Sequence, residues 1–139
     1  MTRKTLRKIV DANPDAETFR FGDTPKLCAE ILALVRSGKK TATVEAMRAY
    51  EDEGDAMPEV GRRDVALNWD GTPALMVETD DVSVMRFDEM TEDLVAAQGE
   101  FRDLDHWRNG YRAYFSRNGG VSDDLKIMVE RFRVIEDFA

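Results

Sequence analysis

Residues that build covalent and metal cross-links are scarce in this sequence. Its 139 residues contain one cysteine, Cys28, and one histidine, His106. A disulfide within the chain is therefore excluded, and a zinc site made only from its own nitrogen and sulfur ligands is nearly excluded. A lone cysteine also suits a reducing compartment, so we expect a cytoplasmic protein that carries no metal and no other cofactor.

Long apolar runs are absent as well. No run approaches the ~20 residues that a membrane helix needs, and the N-terminus lacks the apolar stretch of a secretion signal. The sequence also has no internal repeat, no low-complexity tract and no linker rich in proline or serine. We expect one domain over residues 1–139 with no membrane association, and the oligomeric state stays open.

Acidic residues outnumber basic ones by 28 to 20, which gives a formal net charge of −8. This balance argues against a protein that coats duplex nucleic acid, although a small pocket responds only to the charges around it. The charge is uneven: the first eight residues hold four bases and no acid (Arg3, Lys4, Arg7, Lys8), and residues 51–59 hold five acids and no base. We expect both segments to be solvated surface.

Apolar periodicity and capping residues predict a mixture of helices and short strands. Helices are expected before Asn13, from Thr24 to Gly38, from Thr91 to Gly99 and over residues 103–118. Strands are expected at residues 40–44, 65–69, 74–79, 82–87 and 126–135, with a hairpin turn at Asp70-Gly71. Hairpins without regular strand–helix–strand units favour an α+β fold built on a small curved sheet or barrel.

Residues 38–43, GKKTAT, combine a glycine with two lysines and two threonines. They are not a phosphate loop, because the earlier glycine is missing and they join a helix to a strand rather than a strand to a helix. A lysine beside hydroxyls at the mouth of a strand can activate a nucleophile or hold an anion; an exposed lysine pair after a helix is the alternative. In a regular strand Thr41 and Thr43 share one face and Lys40 takes the other.

Two further segments can carry function. Glu100 lies in the connection between two helices, where its carboxylate either points at a ligand or caps a helix end. In the helix of residues 103–118, an aromatic face stands beside arginines, and such a set can stack a base and hold a phosphate, or pack in the core. The members of this set are Trp107, Tyr111, Tyr114 and Phe115 with Arg108 and Arg112.

Taken in order, these segments resemble the ASCH domain family. The matching pieces follow one another in register from residue 19 to residue 136: Phe21-Gly22-Asp23, residues 38–43, residues 58–61, Gly99-Glu100, Trp107-Arg108 and residues 130–134. The resemblance implies a PUA-like fold, a small β-barrel of about five to six strands with three to four helices around a cleft. It leaves residues 1–18 as an N-terminal helical extension of a core at residues 19–136.

The resemblance implies a cleft that binds a nucleoside or a short RNA. ASCH proteins include amidohydrolases acting on N4-acetylcytidine, ribonucleases, and non-catalytic RNA-binding regulators. In the amidohydrolases a lysine and a threonine of a Gly-x-Lys-Thr-x-Thr motif act with a downstream glutamate, and by motif position these are Lys40, Thr43 and Glu100. Where many members read Gly-Glu-Gly-Asp, this chain reads GEFRD, so a second acid has no counterpart unless Asp103 takes its place.

The working hypothesis under that resemblance is hydrolysis of an N-acyl bond on a cytosine-type base. Thr43 supplies the nucleophile, Lys40 accepts its proton or steadies the oxyanion, and Glu100 orients the lysine or moves the proton. A close Lys40–Glu100 pair would favour charge stabilisation by Lys40 and proton transfer by Glu100. A non-catalytic RNA-binding module and a ribonuclease are the alternatives, and extended duplex binding is not expected. The expected ligand-binding residues are Lys39, Thr41, Trp107, Arg108, Tyr111 and Arg112. The basic side chains among them should gather in the cleft.

Overall fold

A mixed five-stranded sheet organises the protein, whose computed structural model describes residues 5–52, 54 and 56–139. Across the sheet the order is β1 (Thr18–Phe19), β3 (Arg63–Leu67), β4 (Pro73–Arg86), β5 (Lys126–Asp137) and β2 (Ala42–Ala46). β1 pairs with β3 in parallel, and the other neighbours are antiparallel. The α+β class agrees with the sequence. The expected closure into a barrel is not seen, because β1 and β2 remain unpaired edges within the described residues.

Strands β4 and β5 form the long central ladder of the sheet. The sequence predicts two separate runs at residues 74–79 and 82–87, but one strand of 14 residues spans both. A register shift between Thr79 and Asp81 absorbs the break in alternation, as a β-bulge does. The hairpin predicted at Asp70-Gly71 is present between β3 and β4, where the Asn68 amide donates to the Thr72 carbonyl at 2.8 Å.

Five α-helices flank the sheet in the described part of the chain. The one-turn α3 exceeds the three to four helices expected, because four residues are too few to show a helical apolar period. Four of the helices begin where a side chain (Thr5, Thr24, Thr91 or Asp103) accepts a backbone amide of the first turn. The bounds are α1 (Leu6–Ala12), α2 (Pro25–Arg36), α3 (Arg48–Glu51), α4 (Glu92–Gln98) and α5 (Leu104–Arg117), with a 3₁₀ turn at Phe87–Glu89.

Buried apolar side chains lie on both faces of the sheet. On one face α2 packs through Ile31 in a cluster with Leu75 of β4. The next residue of β4, Met76, points to the opposite face and packs with Ile9 of α1. A further cluster joins α4 and α5 to β2 and β5 around Trp107. Parts of α2 and α5 also border a cavity, described below.

The charged segments at the N-terminus and at residues 51–59 are exposed where the structure describes them. Arg7, Lys8, Glu51, Asp52 and Glu59 are exposed, as expected for solvated charges. Arg3, Lys4, Glu53 and Asp55 lie outside the described residues. Within the described chain, every helix is too short or too polar to cross a bilayer.

Candidate functional site

One large cavity opens beside the sheet, with a volume of about 790 Å³. Its walls come from β2 and β5, from residues 17–23 and 56–64, and from the first half of α2 and the second half of α5. Sites for small ligands typically have volumes of roughly 300–1,000 Å³. The cavity therefore has the size that a small organic ligand needs.

Lys40 and Glu100 form an ion pair at one wall of this cavity. The Nζ atom of Lys40 lies 2.8 Å from Oε2 of Glu100, and the two side chains are 2% and 20% exposed. Nζ also donates to the carbonyl oxygens of Ala42 at 2.7 Å and Gln98 at 3.3 Å. Three acceptors match the three N–H groups of a charged ammonium. Burial lowers the pKa of Lys40, and the contact with Glu100 opposes that shift.

Gly99 brings Glu100 against Lys40. It ends α4 with a φ of 72°, in the left-handed region that favours glycine. A Cβ atom at this position would lie only 2.6 Å from the carbonyl oxygen of Lys39. The ion pair is therefore placed by a close approach of two backbone segments that a larger residue would block.

Lys40 and Thr43 line the same cavity, although regular alternation would put them on opposite faces. The reason is that β2 begins only at Ala42. Lys40 therefore precedes the strand, and its side chain extends forward along the chain to donate to the Ala42 carbonyl. Thr41 is exposed and outside the cavity, with its amide and hydroxyl 2.7 and 3.4 Å from the Ala97 carbonyl. Thr43 is half-buried, and no described residue forms a hydrogen bond with its hydroxyl.

Glu130 is a second acid in the cavity that the sequence reasoning missed. It pairs in register with Thr43 across β5 and β2, which places both side chains on one face of the sheet. Its Oε2 accepts a hydrogen bond from the buried Thr79 hydroxyl at 2.7 Å. Burial raises the pKa of Glu130, and the Thr79 bond opposes that shift. The sequence signal that could have revealed Glu130 is an acidic residue at an inward-facing position of the apolar strand at residues 126–135.

Arg62 and Asp64 form an ion pair on the wall beyond Glu130. The Nη2 and Nε atoms of Arg62 lie 2.9 and 3.1 Å from Oδ2 of Asp64. The other carboxylate oxygen accepts the Glu17 amide at 2.9 Å, so the pair ties the segment before β1 to β3. Within the described residues, no group of three or more His, Cys, Asp or Glu side chains is placed to hold a metal ion.

Helix α5 divides its aromatic residues between the core and the cavity. Trp107 is fully buried, and its Nε1 donates to the Gln98 side chain at 2.9 Å. Tyr111 and Tyr114 line the cavity with their ring centroids 5.9 Å apart. Burial and the nearby Glu100 raise the pKa of Tyr111, so its phenol stays neutral.

Several residues expected to bind a ligand lie elsewhere. Arg108 pairs with Asp105 at 3.5 Å, and Arg112 pairs with Asp123 at 3.0 Å. Asp103, the candidate second acid, accepts the His106 amide as the cap of α5. Of the expected set, the cavity brings together Lys40, Thr43, Glu100 and Tyr111, and it leaves out Lys39, Thr41, Trp107, Arg108 and Arg112.

The expectation of a cleft rich in lysine and arginine side chains is wrong for the described residues. Ten charged side chains line the cavity, and six of them are acidic. The four bases are Arg20, Lys40, Arg62 and Arg117, of which Lys40 and Arg62 already pair with a carboxylate. This balance favours a neutral ligand over a phosphorylated one.

The family model described as the ASCH domain matches residues 17–136, a span that contains the whole cavity wall. This chain belongs to the ASCH domain family. The ASCH domain from Lactobacillus crispatus JV V101 is similar to it with a TM-score of 0.81 and 27% identity, over 92% of this chain and 84% of that chain. A protein from Enterococcus faecalis V583 has a TM-score of 0.82 at 22% identity, over 96% and 86% of the two chains.

A more distant ASCH structure, from Zymomonas mobilis, has a TM-score of 0.55 at 12% identity, over 88% of this chain and 71% of that chain. No curated protein matches the sequence. The family match and these structural likenesses show that this ASCH protein has a PUA-like fold. Helix α1 precedes the matched residues, whereas Lys40, Thr43 and Glu100 all lie within them.

Proposed function

We propose that this ASCH protein hydrolyses the N-acyl bond of a modified nucleoside, with N4-acetylcytidine as the model substrate. The observation that carries the proposal is the meeting of three groups in one cavity: the Lys40–Glu100 ion pair and a Thr43 hydroxyl to which no described residue is hydrogen-bonded. Amide hydrolysis by a covalent route needs a nucleophile, a stabiliser of the oxyanion and a proton carrier. These three side chains supply one group of each kind.

The geometry supports a division of roles. The Thr43 oxygen attacks the acyl carbon, the cytidine amine leaves, and water then cleaves the acyl-threonine ester. Lys40 is assigned to the oxyanion, because an ammonium that donates three N–H bonds has no lone pair to accept a proton. Its longest bond, 3.3 Å to the Gln98 carbonyl, is the one that a substrate oxygen can replace. Proton transfer then falls to a carboxylate, and Glu100 is the one that the family resemblance supplies.

The rest of the cavity supports an uncharged nucleoside as the ligand. Its volume of about 790 Å³ is ample for one nucleoside, and Tyr111 and Tyr114 can contribute ring faces against a base. The excess of acids on its walls disfavours phosphate groups. The RNA-binding and ribonuclease alternatives have less support, because Lys39, Arg108 and Arg112 lie outside the cavity.

A screen of acylated nucleosides and short RNAs tests the proposal. Each is incubated with the wild-type protein, with Lys40→Ala and with the matched control Lys39→Ala, and products are identified by mass spectrometry. We expect wild type and Lys39→Ala to deacylate N4-acetylcytidine, and Lys40→Ala to lose that activity, since Lys39 is exposed and outside the cavity. Deacylation of none of the nucleosides by wild type would refute the proposed reaction, and shortened RNA lost in Lys40→Ala would establish a ribonuclease instead.

A further inference from the structure

Glu130 is a half-buried acid of the cavity that the roles above do not use. It stands in the middle of β5, directly opposite Thr43 of β2. Opposed residues of an antiparallel pair have Cβ atoms about 4.5–5.5 Å apart, so the side chains of Glu130 and Thr43 lie next to each other on one face of the sheet. Glu130 is thus a carboxylate beside the proposed nucleophile.

Thr79 holds this carboxylate in place. Thr79 is 2% exposed, and its hydroxyl donates to Oε2 of Glu130 at 2.7 Å. No other described residue forms a hydrogen bond with the Glu130 carboxylate, so its Oε1 has no partner among the described residues. A nucleophile, a base beside it and a third group that orients the base are the three parts of an activated hydroxyl.

Glu100, the acid that the family resemblance supplies, is already committed to Lys40. Oε2 of Glu100 accepts from Nζ of Lys40 at 2.8 Å, and that contact holds the lysine in position and opposes the lowering of its pKa by burial. A carboxylate that gave up this role to take a proton would leave Lys40 buried with less compensation for its charge. Proton transfer is better served by an acid that has no cationic partner of its own.

We propose that Glu130, in place of Glu100, is the general base that takes the proton of Thr43, with Thr79 as its positioning residue; Glu100 then serves only to hold Lys40. This inference rests on the proposed function for the identity of the reaction. The Thr43 O–H bond breaks as its oxygen bonds to the acyl carbon, and the proton moves to a Glu130 oxygen. When the C–N bond breaks, Glu130 returns that proton to the leaving nitrogen; in the second half it takes a proton from water and returns it to Thr43.

The charges around Glu130 suit this role. Burial raises its pKa, and the carboxylate of Asp64 adds to that shift, whereas the Thr79 bond and Arg62 lower it. A carboxylate whose pKa is raised is, in its ionised form, a stronger base than a free carboxylate. The other charged groups on the walls of the same cavity are Glu17, Arg20, Asp23, Lys40, Glu45, Glu100 and Arg117.

Acetylation of Thr43 by p-nitrophenyl acetate tests this base without relying on the natural substrate. The rate is followed across pH by peptide mass spectrometry in wild type, Glu130→Gln, Thr79→Val and the β5 control Glu136→Gln, which lies outside the cavity. We expect Glu130→Gln to acetylate Thr43 about 10²-fold more slowly, as loss of a general base does. Glu136→Gln should match wild type.

The Thr79→Val variant separates a base from a merely structural residue. Removing the hydroxyl removes a bond that lowers the pKa of Glu130, so the acidic limb of the acetylation profile should shift to higher pH. This profile decides the matter even if Glu130→Gln fails to fold. Acetylation of Thr43 in Glu130→Gln at the wild-type rate, an unshifted limb in Thr79→Val, or no acetylation of wild-type Thr43 would each overturn the proposal. Deacylation of N4-acetylcytidine remains a separate test of the reaction.

Discussion

Substitution of Gly99 by alanine should damage both the stability and the activity of the protein. Gly99 has a φ of 72°, and an added Cβ would lie 2.6 Å from the Lys39 carbonyl oxygen and 3.0 Å from the Lys40 nitrogen. These neighbours are backbone atoms, which cannot rotate aside as a side chain can. The two segments must separate, and Glu100 then moves away from Lys40.

Gly38→Ala is the matched control for this substitution. Gly38 has a φ of 81°, but an added Cβ there meets nothing within 4 Å. Its alanine variant should lose only the cost of the left-handed conformation, about 1–2 kcal/mol of the free energy of unfolding. Gly99→Ala should lose that amount and a further steric cost of about 1–3 kcal/mol. At roughly 2–4 °C per kcal/mol, its melting temperature should lie roughly 2–12 °C below that of Gly38→Ala.

Thermal unfolding followed by circular dichroism measures the stability difference, and deacylation of N4-acetylcytidine at a temperature where both variants are folded measures the activity. We expect Gly38→Ala to keep wild-type turnover and Gly99→Ala to lose most of it. Equal melting temperatures for the two variants, or wild-type turnover in Gly99→Ala, would refute the idea that this close approach positions the ion pair.

Three further predictions concern charged groups. Burial lowers the folded-state pKa of Lys40 below 10.5, so between that lowered pKa and 10.5 the unfolded state binds more protons than the folded state. The free energy of unfolding should therefore increase with pH over this range. Denaturant titrations should show no such increase for Lys40→Met, and the same slope in both proteins would contradict the prediction. Because the folded-state pKa of Glu130 is raised above 4.5, its contribution to the stability of wild type should be lost as pH rises from 4.5 through that pKa. Glu130→Gln should then be more stable than wild type at neutral pH, and a Glu130→Gln protein less stable than wild type would contradict the prediction. Arg108→Ala and Arg112→Ala should leave kcat and KM for N4-acetylcytidine unchanged, since both side chains lie outside the cavity, and a raised KM would place them at the ligand.

The helices were predictable because their signals are local. Thr24 and Thr91 accept the amides that start α2 and α4, and a capping hydroxyl needs only its own first turn. The split of β4 was wrong for the opposite reason. A bulge at Thr79 and Asp81 depends on the partner strand β5, which lies more than forty residues away in sequence.

The candidate site was predictable only where motif order carried it. Lys40, Thr43 and Glu100 were named from the family resemblance, yet strand alternation put Lys40 on the wrong face, because the start of β2 is set by pairing with β5 rather than by local propensity. Glu130 was missed because its meaning comes from standing opposite Thr43. Trp107 shows the converse, since an aromatic ring at helical spacing looks the same in sequence whether it meets a ligand or the core.

The role of Thr43 as the nucleophile is tested most directly by the rate at which Thr43→Ala forms cytidine from N4-acetylcytidine, measured beside Thr41→Ala. The two threonines are two residues apart and lose the same atoms, but only Thr43 lines the cavity. We expect wild-type turnover for Thr41→Ala and none above background for Thr43→Ala. Equal rates in the two variants would contradict this role.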